Sequence, residues 1–359
     1  MRSAQRRRRP PRPERVHRVR SVAIAVIAVA FLVIPPLARA PGRLIAGCAT
    51  WIVLAAGLEL LSLVGFIVVF KLVFHERTSW RRTLGPGLRA LGPTTVLPAG
   101  GLVGPAIGAR TGSTQGGPPT GLMRASIAFA LLTNVPGLTV LGGLSVILWL
   151  GWLPGPHDAD ITLPAAGLAF GALAAALLLR RWPRSRRQPP ADIRRRGALA
   201  RFTAAGVRSA RGGLDDACRL LASGNWKLAG AFGYYAFDNA VLWAAFRAYG
   251  RTPPPTVIVM GYLVGSLSTT VPLPAGIGAV EGGLIGALVL YGTPAAPAAA
   301  AVLLYRGVSL SLPLLLGGCA WAVPPAARLR MAIPRLRGRH GHTRRGARAA
   351  PRPSAASAD

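Results

Sequence analysis

The sequence predicts an all-α polytopic membrane protein with about six full spans and two re-entrant broken-helix regions in two inverted halves. The first observation behind this prediction is composition: 51% of the 359 residues are hydrophobic and 15% are charged, yet the formal net charge is +32. Apolar and basic residues therefore occupy different parts of the chain. The second is length, because apolar runs of roughly 18 to 30 residues suit helices across a hydrocarbon core about 30 Å thick. The third is a pair of proline- and glycine-rich interruptions.

Continuous apolar runs mark the full spans, and basic residues flank them. The predicted spans are about 20–39, 44–74, 125–153, 161–180, 228–249 and 297–323. A strongly basic chain is also typical of nucleic-acid binding. Arginines that flank spans instead fit the excess of positive charge on the cytoplasmic side of membrane proteins. We therefore expect no nucleic-acid partner, and we expect both termini to lie in the cytoplasm.

These spans divide the chain into a basic cytoplasmic N-terminus, a transmembrane domain, a basic cytoplasmic loop inside that domain, and a basic tail of disordered composition. The N-terminus is 1–19 and the tail is 326–359. The transmembrane domain is 20–325, with halves of about 20–180 and 228–325 that the loop 181–227 joins. The first span resembles a cleavable signal peptide, but its long basic start and the later spans favour an uncleaved helix. The apolar residues of the loop fit either helices on an anionic membrane surface or a solvated linker.

Both interruptions contain Leu-Pro-Ala-Gly, at 97–100 and 273–276. If region 88–108 crossed the membrane once, the arginine-rich loop 181–227 would lie outside the cell, against the positive-inside rule. If the region enters and returns, that loop shares the cytoplasmic side with the N-terminus. The same count for region 255–292 places the basic tail inside, so the two regions enter from opposite faces. Inverted repeats have this pattern, and their half-helices meet near the midplane to form a binding site. A chance match of four residues is the alternative.

Ionisable side chains inside apolar segments are costly, so they usually face a protein interior or a wet cavity. The clear cases are Glu59, Lys71, Asp238, Glu281 and Arg306. Glu281 falls in the first turn of a predicted half-helix, where it serves transport or proton coupling, or only complements the positive helix N-terminus. Arg306 either forks onto a lipid phosphate, pairs with Glu281 or extends to the membrane interface.

Two further acidic residues are weaker candidates. Asp238 lies in "GYYAFDNAVLW" and is predicted to add polar lining to the site, unless the neighbouring tyrosines are interfacial anchors. Glu59 either lines a cavity or pairs with Lys71 in the same span.

The prolines and glycines of the two interruptions complete the candidate site. They are Pro98, Gly100 and Gly101 in the first, and Pro274, Gly276 and Gly278 in the second. Backbone freed at such breaks cannot face lipid, so it is buried in protein or lines a polar cavity. The amides of a half-helix N-terminus suit a phosphate, whereas tight helix packing through small residues is the alternative.

No pattern indicates an enzyme, a cofactor or a metal site. The sequence has no P-loop, no dinucleotide fingerprint and no G-x-S-x-G elbow. Cys48, Cys218 and Cys319 are far apart in the sequence, which is not the spacing of a zinc site.

The segment "VPLPAGIGAVEGGLIGALVLYGTPAAPAAAAVLLYRGVSLSLPLLLG" resembles the signature of the lysylphosphatidylglycerol synthase transmembrane, or flippase-like, family. The matching residues are Pro272, Pro274, Gly276, Gly278, Glu281 and Arg306, and Ala275 stands where a glycine is usual. Pro98, Ala99, Gly100 and Gly101 resemble the family's earlier motif, but only Arg110 follows where charged residues are expected.

The resemblance implies a multi-pass protein of the bacterial inner membrane that moves an anionic, aminoacylated or polyprenyl-linked lipid between leaflets. The soluble synthase domain of full-length members is absent from this sequence, so we do not expect the protein to make the lipid. The alternative is a non-transporting scaffold or regulator that recruits a lipid- or glycan-modifying enzyme through loop 181–227.

Overall fold

Helices form all the regular structure in the described part of the chain. The computed structural model describes residues 42–112, 119–181, 198–250, 252–270 and 273–322. The predicted N-terminus 1–19, first span 20–39 and tail 326–359 lie outside these residues. The helices are α1 Gly42–Phe74, α2 Trp80–Val96, α3 Gly100–Gly112, α4 Pro119–Trp149, α5 Ala159–Arg181, α6 Ala198–Ala222, α7 Ala229–Ala248, α8 Pro255–Ser266, α9 Ala279–Leu290 and α10 Ala295–Ala322, with short 3-10 turns at Trp226–Leu228, Leu267–Thr270 and Pro274–Gly276.

Four of the described helices are long and apolar enough to cross a membrane, in agreement with the predicted fold class. Their apolar segments are Ala49–Phe74, Gly121–Trp149, Ala159–Arg181 and Ala295–Ala322. They correspond to four of the six predicted spans. The predicted span 228–249 forms α7, which is not among the four, so its crossing stays a prediction.

Both predicted broken regions form pairs of antiparallel helices. In the first hairpin, α2 packs along α3 so closely that a Cβ on Gly108 would lie 2.6 Å from the Ala90 Cβ. In the second hairpin, α8 packs along α9, and a Cβ on Gly265 would lie 2.6 Å from the Leu284 Cα. The predicted start of the first region, residue 88, was wrong, because α2 begins at Trp80 and continues as a helix through Pro86.

Helices from the two predicted halves pack directly against each other. Helices α1 and α7 run antiparallel, and a Cβ on Gly65 would lie 2.6 Å from the Gly230 carbonyl oxygen. Trp51 and Trp243 meet edge to face at 5.6 Å further along the same contact. Two apolar clusters surround this contact, and both contain buried residues from helices on either side of residue 200. The central contact between α1 and α7 positions their polar residues for the site described below.

Helix α6 forms most of the described part of the predicted loop 181–227 and is docked on α4. Its Leu214 and Ala217 are buried, while Asp216 pairs with Arg124 of α4 and with Arg219. Asp215 lies 3.9 Å from Arg180 at the end of α5. The described segment is therefore not a solvated linker, because one face packs on the helical body and its acidic residues bind the ends of α4 and α5.

Candidate functional site

The two Leu-Pro-Ala-Gly sequences form the same turn, and each turn lies at a hairpin tip. The amide of Gly100 donates to the Leu97 carbonyl at 2.9 Å, and the amide of Gly276 donates to the Leu273 carbonyl at 3.0 Å. The alanine before each glycine has a left-handed backbone, with φ of 55° at Ala99 and 54° at Ala275. A type II turn needs a positive φ at this position and commonly has proline before it.

This left-handed conformation explains why proline precedes each turn residue and why glycine is the usual residue where Ala275 stands. Pro98 and Pro274 stand before the left-handed residue, where their fixed φ suits the turn. Glycine is preferred at the left-handed position because a Cβ there is sterically strained. Each turn ends one helix of the hairpin and allows the next to begin, so the paired break predicted from the sequence is a paired turn in the structure.

A charge network closes the tip of the second hairpin. Nε of Arg306 donates to Oε1 of Glu281 at 2.7 Å, and Nη2 of Arg306 donates to the Ala275 carbonyl at 2.7 Å. The Gly278 amide donates to Oε2 of Glu281 at 2.7 Å. The two charged side chains are 12% and 18% exposed. Two of the alternatives raised by the sequence are thus both present: Glu281 caps its own helix and also pairs with Arg306.

Gly276 and Gly278 serve this tip through their backbone. Their φ values are +63° and +86°, in the region that favours glycine. The amide of Gly278, which a phosphate at the α9 N-terminus would use, is already bonded to Glu281. These glycines therefore permit a chain path that brings the Glu281 carboxylate back onto its own helix start.

A cavity of about 590 Å³ with both polar and apolar lining residues lies between the two tip turns. Of the candidate residues, Asp238, Arg306, Gly100, Gly101 and Gly276 line it. Pro98, Gly278 and Glu281 are not among its lining residues, and of Pro274 only the backbone turn is described. The structure thus brings one tip turn from each hairpin, the α7 acid and the α10 arginine to one space.

The acidic wall of the cavity is built on α1 and α7. Glu59 and Asp238 are 3% and 8% exposed, and both line the cavity. Oδ2 of Asp238 accepts a hydrogen bond from the Tyr305 hydroxyl at 3.0 Å and another from the Tyr262 hydroxyl. Of the two roles predicted for Glu59, cavity lining is the one the structure shows, and its neighbour Asp238 on a distant part of the chain is not indicated by any local pattern.

Four tyrosines line the cavity beside this acidic pair. Their rings meet edge to face in a row, at 5.6 Å between Tyr234 and Tyr235, 6.2 Å between Tyr235 and Tyr262, and 6.2 Å between Tyr262 and Tyr305. The Tyr235 hydroxyl donates to Oδ1 of Asn134 on α4 at 3.1 Å. Asp238 and these tyrosines therefore lie inside the helical body and line the cavity.

Two other ionisable residues have structural partners away from the cavity. Lys71 donates to the carbonyls of His75 and Glu76 at 3.3 and 3.4 Å and also to that of Thr78, so it closes the end of α1 and does not pair with Glu59. Arg89, which the sequence analysis did not single out, donates to the Ala320 carbonyl at 3.0 Å. The Trp321 indole donates back to the Arg89 carbonyl at 3.0 Å, and these bonds join α2 to α10.

The described residues hold no group of three or more His, Cys, Asp or Glu side chains placed to bind a metal ion. The site is instead a helical cavity with one arginine, two carboxyl groups and a row of tyrosines.

This combination of broken hairpins and a cavity with charged side chains between apolar helices defines a polytopic membrane protein with an internal site. A family model described as the lysylphosphatidylglycerol synthase TM region matches residues 18–317. The chain belongs to this family. No curated protein matches the chain.

Proposed function

We propose that the protein is a lipid translocase of the bacterial inner membrane, and that the cavity between the two tip turns receives the headgroup of an anionic, aminoacylated or polyprenyl-linked lipid. The observation that carries this proposal is the cavity itself, about 590 Å³ in volume and lined by Arg306 and both tip turns. Pockets for small ligands commonly measure about 300 to 1,000 Å³. A headgroup therefore fits, while its acyl chains remain in the membrane.

Arg306 is the group proposed to bind phosphate. A guanidinium carries five N–H donors, and the bonds to Glu281 and Ala275 use two of them. The remaining donors are available to an oxyanion, which arginine binds with a forked geometry. Among the described lining residues, Arg306 is the only arginine or lysine, so it is the single cationic side chain of the cavity wall.

We further propose that the two hairpins are re-entrant elements of two inverted halves. Their turns share one sequence and one backbone conformation, and α1 and α7, which precede them, pack antiparallel. A two-fold axis in the membrane plane relates helices in this way. If the first hairpin enters the membrane and returns, the start of α2, the end of α3, the start of α4 and the end of α5 lie on the same side of the membrane. Exposed arginines cluster at these four helix ends, which fits a cytoplasmic surface there. They are Arg81, Arg82, Arg110, Arg124, Arg180 and Arg181.

The test is leaflet exchange in proteoliposomes that carry labelled anionic, aminoacylated or polyprenyl-phosphate lipids. The natural protein is expected to speed exchange of at least one lipid, and Arg306→Ala is expected to abolish that gain. Arg181→Ala removes an exposed arginine outside the cavity lining and serves as the matched control with unchanged exchange. Folding of each variant is checked by circular dichroism and gel filtration.

The same experiment separates the other classes of function. No exchange of any lipid by folded protein would contradict the translocase and favour a scaffold that recruits a lipid-modifying enzyme. A labelled lipid that changes covalently on incubation would indicate an enzyme. The proposal requires exchange without chemical change.

A further inference from the structure

Glu59 and Asp238 lie where α1 packs on α7, each about one helical turn from the hydrogen bond that Ser62 Oγ donates to the Tyr234 carbonyl, and away from any ion pair of the described residues. They lie on the antiparallel helices α1 and α7, and both border the cavity. Arg306 interacts electrostatically with Asp238, but it is itself paired with Glu281 at 2.7 Å. The two carboxyl groups therefore have no cation of their own to balance two negative charges.

The hydrogen bonds of the described residues around the pair leave a buried oxygen of Glu59 without a partner. Oδ2 of Asp238 accepts from two tyrosine hydroxyls. Oε2 of Glu59 is buried and makes no hydrogen bond within the described part of the chain. A buried, ionised and unpartnered oxygen is costly, because its lost hydration is not replaced. Protonation of Glu59 removes that charge.

The contact between the two carboxyl groups requires a proton for a second reason. An ionised carboxylate only accepts hydrogen bonds, so two ionised carboxylates cannot bond to each other. Two such charges in one buried site also repel each other, as in the paired acids that share a single proton. Two buried carboxyl groups in one cavity wall, as Glu59 and Asp238 are, are therefore best accommodated as one carboxylic acid and one carboxylate.

We propose that Glu59 and Asp238 form a proton-binding site that holds one shared proton and releases it into the cavity when a cationic group or a moving helix displaces it. The release of the proton rests on the proposed transport function, whereas the shared proton is a property of the protein alone. The proton moves between the oxygens of the pair and the cavity, and no other bond changes.

Glu59 and Asp238 are the only carboxyl side chains among the described residues that line the cavity, so this pair is the acidic group able to exchange a proton with it. The other ionisable groups that face it are Tyr234 and Tyr235 from α7, Tyr262 from α8, and Tyr305 and Arg306 from α10. The polar side chains that α2 and α4 contribute to the cavity wall are all uncharged: Thr94, Thr95, Thr133 and Asn134. Glu281 differs, because an arginine and a backbone amide stabilise its ionised form.

Infrared spectroscopy of the reconstituted protein tests the shared proton without any lipid substrate. At neutral pH, the natural protein is expected to show the C=O stretching band of a protonated carboxylic acid, with a shift in D₂O. Exposed carboxyl groups titrate near pH 4 and do not contribute there. Glu59→Gln is expected to remove the band and Asp238→Asn to shift its frequency, whereas Glu281→Gln, which alters the arginine-paired carboxylate, is expected to leave it unchanged.

Two results would overturn the assignment: a natural protein without the band, or a band that survives Glu59→Gln. Neither depends on transport, so a failure of the translocase proposal stays distinguishable.

If leaflet exchange is observed, an imposed pH gradient is expected to change its rate in the natural protein and in Arg181→Ala. The rate in Glu59→Gln is expected to be independent of the gradient, and an unchanged response there would contradict the coupling.

Discussion

Arg306 Nε lies 2.7 Å from Glu281 Oε1, and this bond joins the last described helix to the tip of the second hairpin. The same guanidinium holds the Ala275 carbonyl of the tip turn at 2.7 Å. One side chain thus fixes the start of α9, the turn before it and its own helix α10 relative to one another. Since Arg306 also lines the cavity, the residue proposed to bind phosphate is oriented by the carboxylate of Glu281.

The coupling between these two residues is measurable. Arg306→Ala and Glu281→Gln are each expected to lower the free energy of unfolding in detergent, and the double variant should lose less than the sum. Residues in direct contact commonly show a coupling energy of about 0.5–3 kcal/mol. The matched control combines Arg306→Ala with Asp216→Asn, which share no partner among the described residues and should add within about 0.5 kcal/mol. Additive losses for Arg306 and Glu281 would contradict the structural pair.

Replacing alanine by glycine usually destabilises a protein, but at the strained turn we expect no such loss of stability. Ala275→Gly relieves a left-handed alanine, which costs roughly 1–2 kcal/mol, but it also adds freedom to the unfolded chain. We expect unchanged or slightly higher thermal stability. Ala174→Gly, at an exposed position inside α5, should instead lose about 1 kcal/mol. Equal losses at the two positions, measured by thermal unfolding in detergent, would show that the turn is not left-handed.

Close packing inside the second hairpin is tested with two glycines of that hairpin. A Cβ on Gly265 would lie 2.6 Å from the Leu284 Cα, whereas one on Gly282 would meet nothing within 4 Å. Gly265→Ala is expected to cost about 1–3 kcal/mol through overpacking. Gly282→Ala should be neutral or stabilising, since alanine favours a helix over glycine. Chemical denaturation of the two variants compares them directly, and similar stabilities would contradict the hairpin contact.

The hydrogen bonds to Asp238 provide a further test. Tyr305→Phe removes a hydroxyl that donates to Oδ2 of Asp238 and is expected to cost about 1–2 kcal/mol of unfolding free energy. Tyr291→Phe is the control, because Tyr291 is similarly buried but its hydroxyl makes no hydrogen bond within the described residues. A Tyr305→Phe variant as stable as Tyr291→Phe would mean that the hydroxyl does not bond to Asp238.

Much of the fold was predictable because apolar run length and flanking charge act locally along the chain. Four predicted spans coincide with apolar helices to within several residues, and the paired breaks at 97–100 and 273–276 form matching turns. The predicted start of the first hairpin at about residue 88 was misplaced, because α2 begins at Trp80 and continues as a helix through Pro86. The docking of α6 on α4 depends on its contacts with Arg124 and neighbouring residues, and no local pattern indicates such partners.

The sequence alone determined that this is a basic, multi-span helical protein with two equivalent breaks, and it identified Glu281, Arg306 and Asp238 as costly groups in need of partners. Only the tertiary structure decided who those partners are. Arg306 takes Glu281, and Asp238 is beside Glu59, which is 179 positions earlier in the sequence. The physical reason is that burial makes an unpaired charge expensive wherever it lies, whereas the choice of partner depends on which helix faces meet.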